Sequence, residues 1–172
     1  MNNGHKGFEP GAMALFMAMH EAGSNIWRQL QDHAQIGPLL AKDGRAGVIL
    51  RAAPISNPSM QFTLPIGEPN PDKRAGYDRF AGEKINRLAT HPTHRASSES
   101  RRPVEERYGG AVKGGSFFWS ISGLWPDALD ELLAVLTAVE IGDMALVEAQ
   151  GLLKHTGNEY VALIGSFKFK SL

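Results

Sequence analysis

A chain of 172 residues is long enough to form one domain with a substantial hydrophobic core. Its 18 basic and 18 acidic residues balance, which argues against a broad electrostatic surface for nucleic acid. The chain contains no cysteine, so disulfides, thiolate catalysis and cysteine-based zinc sites are excluded. The lack of cysteine also fits a reducing compartment, and we expect a cytoplasmic protein without a nucleic-acid partner.

The first predicted element is an amphipathic helix from Gly11 to about Ile36. Apolar residues recur there at helical spacing, beginning with Met13 and Phe16 and continuing through Trp27. The apolar run at its start is shorter than the roughly 20 residues that a membrane-spanning helix needs. We therefore expect no membrane association, and Gly37-Pro38 is expected to end the helix.

Two strands are predicted next. Gly47 to Ala53 is an apolar run of strand length, and Met60 to Ile66 alternates apolar with polar residues. Pro65 has no N–H to donate to a neighbouring strand, so the second strand belongs at an edge of the sheet or near its own end.

The middle of the chain combines a helix with the most polar segment of the sequence. The helix is predicted from Tyr77 to about Thr90, because Pro92 disfavours helical geometry in the residue before it. The polar loop that follows spans residues 91–107. Irregular loops of this length are typically functional or mobile.

A hairpin, two helices and a strand complete the prediction. Ala111–Lys113 and Ser116–Ile121 flank Gly114-Gly115, and glycine accepts the positive φ of tight hairpin turns. The next helix begins at Pro126, and three acidic residues are interpreted as complements of its N-terminal dipole, namely Asp127, Asp130 and Glu131. A shorter helix over residues 144–153 and a closing strand over residues 160–169 follow.

This order of elements predicts a single α+β domain over residues 1–172. Its sheet is expected to be mostly antiparallel with about five strands, because hairpins rather than regular βαβ units dominate the pattern. Residues 1–46 form the N-terminal helix and loop, and residues 47–172 form the core of sheet and helices. The Met-rich first helix and the face of Phe118 offer surplus apolar surface, so we expect a homo-oligomer.

Two segments resemble a known family. YDRFAGEKINRLATHP (77–92) is similar to the central helix of the small haem-binding or haem-degrading domains, which include the glycolate-operon accessory proteins. YGGAVKGGSFFWSISGLWPDALDE (108–131) is similar to their core hairpin and following helix. The resemblance covers roughly residues 60–140 and implies a profilin-like fold. The V-D-x-x-G and R-M-D-G-A motifs of that family have no counterpart in FTLPIGEPNPDKRAGYDR.

Lys84 and the pair Gly109-Gly110 are the first candidates for a binding site. Lys84 interrupts the apolar stripe of its helix, so its side chain either holds an anionic group in a cavity or reaches the surface. Gly109-Gly110 stands where the polar loop meets the sheet. It either exposes backbone amides to a small ligand or forms a bend at the strand entry. No phosphate-loop or dinucleotide fingerprint surrounds it.

His91, His94 and Arg95 are the remaining candidates. His91-x-x-His94 suits either a shared metal or haem, or a histidine at the helix C-terminus beside a loop histidine. No acidic partner completes a zinc site, so no metal is predicted. Arg95 belongs to a cluster of loop arginines that either binds an anion or is solvated.

The sequence predicts a small-molecule binding module for an anionic or planar ligand. Its contacts are expected from Lys84, His91, His94, Arg95, Gly109 and Gly110, gathered at one rim of the sheet. No catalytic set can be identified from spacing. The resemblance leaves a haem-degrading enzyme as an alternative, with His91 or His94 as axial ligand and haem as the cofactor. A third alternative is a structural or partner-binding subunit without a pocket.

Overall fold

The computed structural model describes residues 10–170, in which a four-stranded antiparallel sheet lies between two layers of helices. The helices and strands, in chain order, are α1 (Pro10–Asp32), α2 (Gly37–Lys42), β1 (Gly47–Pro54), β2 (Phe62–Gly67), α3 (Pro71–Ala89), β3 (Ala111–Lys113), β4 (Phe117–Ser122), α4 (Asp127–Glu140) and α5 (Leu146–His155). Short 3-10 helices span Ser97–Ser100, Pro103–Glu105 and Val161–Ser166. The predicted α+β class with an antiparallel sheet is confirmed.

The sheet has the strand order β2-β1-β4-β3. The central strand β1 pairs with both neighbours, so that Leu50 lies opposite Leu64 on one side and Ile121 on the other. β2 is an edge strand, which confirms the placement expected from Pro65, since an edge strand has one row of N–H groups without partners.

The two faces of the sheet pack against different helices. Leu50, Trp119 and Ile121 belong to the larger apolar core with α1 and α4, whereas Ala53 and Phe118 pack with α3. Successive residues of a strand point to opposite faces, so the same two strands supply both layers. Full burial of a large apolar side chain contributes about 1.5–3 kcal/mol, and both layers therefore stabilise the sheet.

The predicted closing strand is wrong, and the sheet has four strands rather than about five. Residues 161–166 form a 3-10 helix, and Val161, Ile164 and Phe167 recur every third residue against the larger core. That spacing matches the three residues per turn of a 3-10 helix. The segment is tied to α1 instead of to a strand, because the Gln29 side chain accepts from Lys168 N and donates to Lys168 O.

The hairpin is confirmed, but the reason for its glycines differs from the expectation. Gly114 and Gly115 do not have positive φ. A Cβ at Gly114 would stand 2.2 Å from Asp143 Oδ2. The Asp143 carboxylate accepts hydrogen bonds from Ser116 N at 2.7 Å and from the Trp119 indole at 2.7 Å. Glycine is therefore required at the turn so that this carboxylate can approach the hairpin.

The expected apolar surface at Phe118 is also absent. Phe118 is buried beneath α3 with Ile85 and Leu88, so it offers no surface for association. On α1, by contrast, Met13 and Met17 are exposed.

Several helix boundaries differ from the prediction. α1 ends at Asp32, and Gly37-Pro38 begins the separate helix α2, since proline fits the first turn of a helix. α3 begins at Pro71, six residues before the predicted Tyr77, because the Asn70 side chain accepts a hydrogen bond from Asp72 N and caps the helix.

Arg87 of α3 anchors the polar loop. Its guanidinium donates to Ser97 O at 2.7 Å, to Ser100 O at 2.9 Å and to Tyr108 O. Arg95 O accepts a hydrogen bond from Lys113 N at 2.8 Å, and Ala96 forms a bridge to Val112. The loop therefore runs along the outer edge of β3. Within residues 10–170, no helix is both long and apolar enough to cross a membrane.

Candidate functional site

An opening of about 240 Å³ lies where α3 passes the end of β4 and the start of α4. Four aromatic side chains form its walls, namely Tyr77, Phe80, Tyr108 and Trp125. The Phe80 and Tyr108 rings meet edge to face with their centroids 5.5 Å apart, and Trp125 is 56% exposed at the rim. Lys84 and Asp130 lie among the lining residues as a buried charged pair. We call this opening the aromatic pocket.

Lys84 points inward from α3. Its Nζ lies 2.9 Å from Asp130 Oδ2 and donates to Ile121 O at 2.7 Å, and only 1% of the residue is exposed. Asp130 also accepts from Leu124 N at 2.9 Å. Burial raises the pKa of the Asp130 carboxyl to about 6, although the Lys84 ammonium opposes that rise. The carboxyl is therefore mainly ionised and paired at pH 7. An ammonium has three donors, so Lys84 keeps one beyond these two bonds.

Gly110 closes tightly over this ion pair. Its φ is +110°, and a Cβ there would lie 2.6 Å from Asp130 Cβ and 2.8 Å from Lys84 Nζ. Glycine alone accepts this backbone conformation at low cost and leaves room for the pair. Gly110 is therefore the bend at the strand entry, and the same bend brings its backbone against the Lys84 ammonium.

A second carboxylate of α4 borders the aromatic pocket. Asp127 Oδ2 accepts from Gly109 N at 2.7 Å and from Arg101 Nε at 2.7 Å. Burial by itself raises the pKa of Asp127, but the hydrogen bonds from Arg101 and Gly109 and the charges of Arg101 and Lys84 outweigh it and hold the pKa below its ordinary value. Both carboxylates that line the pocket therefore have their own cation.

Arg45, in the loop between α2 and β1, completes the polar lining. Its Nη1 donates to Tyr77 Oη at 2.7 Å and to Gly123 O at 2.8 Å, which holds the guanidinium in place. Its Nε is buried without a hydrogen-bond partner. A buried N–H without an acceptor costs about 1–3 kcal/mol. Arg45 is thus a fixed cation with an unused donor beside the pocket.

His91 lies in a different cleft on the outer side of α3. This cleft of about 610 Å³ is lined by polar side chains, among them Arg51, Arg79, Arg87 and Arg107. One nitrogen of His91, Nδ1, is 2.7 Å from Arg87 O, so the ring is held at the end of its helix. We call this opening the arginine cleft.

His94 and Arg95 line a third opening of about 270 Å³ beside Lys113 and the Gly114-Gly115 turn. The rings of His91 and His94 stack with centroids 4.8 Å apart, and His94 Nδ1 is buried without a partner. The structure thus brings Lys84, Gly109 and Gly110 to one end of the sheet and places the histidines and Arg95 elsewhere. The loop between them follows the length of β3, so its two ends do not meet at one rim.

Sequence reasoning missed Arg45, the four aromatic walls and the pairing of Asp127 and Asp130. The sequence predicts that the two aspartates complement the helix dipole, whereas in the structure each binds a cation and a backbone N–H. One sequence signal indicates the buried Lys84–Asp130 pair. Both residues interrupt apolar helical stripes at positions that the helical periodicity assigns to the interior. No local pattern marks Arg45, whose partners lie 32 and 78 residues away along the chain.

Across the described part of the chain, no group of three or more histidine, aspartate and glutamate side chains is arranged to hold a metal ion. Comparison of the chain with protein-family models, with curated proteins and with solved structures finds no match in any of the three.

Proposed function

We propose that this protein is a small-molecule binding module and that its ligand occupies the aromatic pocket. The observation that carries the proposal is the combination of four aromatic walls with the buried Lys84–Asp130 pair. Ligand sites typically join apolar and aromatic walls to a few fixed polar groups. The Lys84–Asp130 pair is held by two backbone groups, Ile121 O and Leu124 N, so its polar atoms are in place before a ligand arrives.

The size of the aromatic pocket limits its ligand. Its 240 Å³ lies below the roughly 300–1,000 Å³ of pockets for drug-sized molecules. The ligand that fits is therefore a small planar molecule, because flat rings stack favourably on aromatic side chains. The third donor of Lys84 and the aromatic walls support the anionic or planar ligand expected from the sequence.

The residues around the aromatic pocket and the arginine cleft support the binding module rather than a haem site. The aromatic pocket is small and has no histidine in its lining. The arginine cleft includes His91, but every side chain that lines it is polar or charged, whereas a porphyrin needs apolar contacts. A Soret band on haem titration that disappears in His91→Ala or His94→Ala would favour the haem-degrading alternative over the binding module.

We also propose the fold, the localisation and the partners that the resemblance and the composition imply. The antiparallel order β2-β1-β4-β3 with helices on both faces supports a profilin-like fold. The balanced charge supports the expectation of no nucleic-acid partner in a cytoplasmic protein. We propose a homo-oligomer as well, and a structural or partner-binding subunit is the alternative function.

A thermal-shift screen of small planar molecules tests the binding module. Trp125→Ala removes one exposed wall of the pocket, and Val147→Ala shortens an exposed side chain that does not line it. At a concentration of about 100 times Kd, a ligand should raise Tm by about 5–10 °C in the wild type and in Val147→Ala. The shift should shrink strongly in Trp125→Ala. Equal shifts in all three proteins would place the site elsewhere, and no shift with any compound would favour the structural subunit.

A further inference from the structure

The charges around the aromatic pocket do not cancel. Lys84 pairs with Asp130, and Asp127 pairs with Arg101. Among the residues that the structure describes, no carboxylate lies within ion-pair distance of Arg45. One positive charge is therefore left without a partner at the pocket.

The hydrogen-bonding groups that remain unused at the pocket are mostly donors. Arg45 Nη1 donates both of its hydrogens, to Tyr77 and Gly123, and Nε is buried, which leaves Nη2 for a ligand. Tyr77 Oη accepts the bond from Arg45, so its own hydrogen is available to a ligand. Lys84 keeps one donor beyond its bonds to Ile121 and Asp130. A ligand that satisfies these groups must supply acceptors.

We propose that the ligand is a small planar monocarboxylate whose carboxylate is bound by Arg45 and Tyr77 and whose flat body lies between the aromatic walls. This inference rests on the proposed binding function of the same pocket. One negative charge cancels the single unpaired cation, and Arg45 Nη2 and the Tyr77 hydroxyl can each donate to one of the two carboxylate oxygens. An inorganic phosphate has no flat apolar surface to stack on the four aromatic side chains, and a cationic ligand is repelled by the Arg45 guanidinium.

The probes are two planar monocarboxylates, benzoate and 2-furoate, with benzamide as the neutral counterpart of benzoate. Benzylamine and inorganic phosphate complete the set. Calorimetric titration of the wild type should give a Kd for benzoate or 2-furoate about tenfold or more below that for benzamide, the factor expected for a charge-assisted contact. Amide signals of Gly123 and Leu124 should shift in nuclear magnetic resonance spectra, because both residues line the pocket.

Variants separate the charge of Arg45 from its role in folding. Arg45→Met should reduce carboxylate affinity to the level of benzamide, whereas Arg45→Lys keeps the charge and should recover part of it. Tyr77→Phe removes one hydroxyl and should weaken carboxylate binding several-fold. Arg28→Met, which removes an exposed arginine of α1, should bind benzoate as the wild type does.

The outcomes distinguish the two proposals. The monocarboxylate inference is overturned if benzamide, benzylamine or phosphate binds the wild type as tightly as the carboxylates do. It is also overturned if Arg45→Met retains the preference for benzoate over benzamide. In both cases the binding module stands. If none of the probes binds the wild type, the monocarboxylate inference also fails, and the screen with other planar molecules decides the binding module independently. The wild-type comparison of benzoate with benzamide remains decisive even if every Arg45 variant unfolds.

Discussion

The residues that distinguish this protein are charged groups inside its core. Lys84 and Asp130 are almost fully buried and lie on different helices, 46 positions apart in the chain. A buried ion pair is weak support for stability, since removing two charges from water offsets most of their attraction. Breaking such a pair is costly, however, because the remaining charge has no counter-ion. The pair therefore constrains the two helices to one arrangement around the aromatic pocket.

Glu131, the next residue of α4, is also a buried acidic residue, but its hydrogen-bond partners are neutral. Its carboxylate accepts from the hydroxyls of Ser98 and Thr156 and from the Asn158 amide. Hydrogen bonds of this kind replace those that water would make to a buried carboxylate. The acidic start of α4 thus binds the polar loop and the segment after α5, in addition to any effect on the helix dipole.

Lys84→Met should destabilise the protein by about 3–5 kcal/mol at pH 8, because it leaves the Asp130 carboxylate buried without a cation. The folded-state pKa of Asp130 is about 6 in the wild type and should rise further in the variant. A carboxyl group whose pKa is higher in the folded state than in the unfolded state stabilises the fold fully below its unfolded-state pKa, which is near 4 for aspartate. This stabilisation is lost as the pH rises through the folded-state pKa. The difference in free energy of unfolding between wild type and variant should therefore grow from pH 5 to pH 8.

Urea unfolding at several pH values measures this difference. Lys73→Met is the matched control, since Lys73 is an exposed lysine on the same helix, and it should change the free energy of unfolding by no more than about 0.5 kcal/mol at any pH. A Lys84→Met penalty that is the same at pH 5 and pH 8 would contradict the assignment to Asp130.

At the scale of elements, side chains in the connections fix how the helices and strands meet. Asp143, between α4 and α5, accepts hydrogen bonds from Ser116 N and Phe117 N of the hairpin and from the Trp119 indole. Gly115 N donates to the backbone oxygen of Asp143 at 2.8 Å. Asp143 therefore fixes the turn and the start of β4, and the three-residue strand β3 pairs with β4.

Asp143→Ala should lower the free energy of unfolding by about 2–4 kcal/mol, because three N–H groups lose a charged acceptor and the buried indole of Trp119 is left unpaired. Urea unfolding followed by circular dichroism measures the loss, and tryptophan fluorescence should change in the folded state. Asp32→Ala, at the exposed end of α1, should stay within about 0.5 kcal/mol of the wild type. An Asp143→Ala protein as stable as that control would show that the strand pairs alone hold the hairpin.

At the scale of the whole molecule, α1 leaves apolar surface uncovered. Met13 and Met17 are 49% and 64% exposed, and methionine side chains adapt readily to a partner surface. Phe118, the other surface considered for association, lies under α3. The predicted homo-oligomer therefore depends on the exposed face of α1.

Light scattering at micromolar concentration should give a mass of two or more chains of 18.7 kDa. Met17→Glu should shift the mass to that of one chain, because a buried carboxylate at an apolar interface has no partner. Val147→Glu, which changes an exposed apolar residue of α5, should keep the wild-type mass. A wild-type mass of a single chain would refute the oligomer.

The amino-acid sequence by itself determined most of the elements. Period-two alternation placed β2, the glycine pair placed the β3–β4 hairpin, and helical stripes placed α3 and α4, because these signals act between residues close together in the chain. The segment 161–166 misled the prediction, since a short apolar run fits both a strand and a helical turn, and only its packing against α5 selects one.

Only the tertiary structure decided what surrounds the aromatic pocket. Lys84 meets Asp130, and Arg45 meets Tyr77 and Gly123, through contacts between residues 32 to 78 positions apart. No local pattern encodes such pairs, because a charge is drawn to whichever partner the packed helices bring within a few ångströms. The same packing separated His91, His94 and Arg95 from Lys84, since the polar loop follows the whole length of β3 before it reaches Gly109 and Gly110.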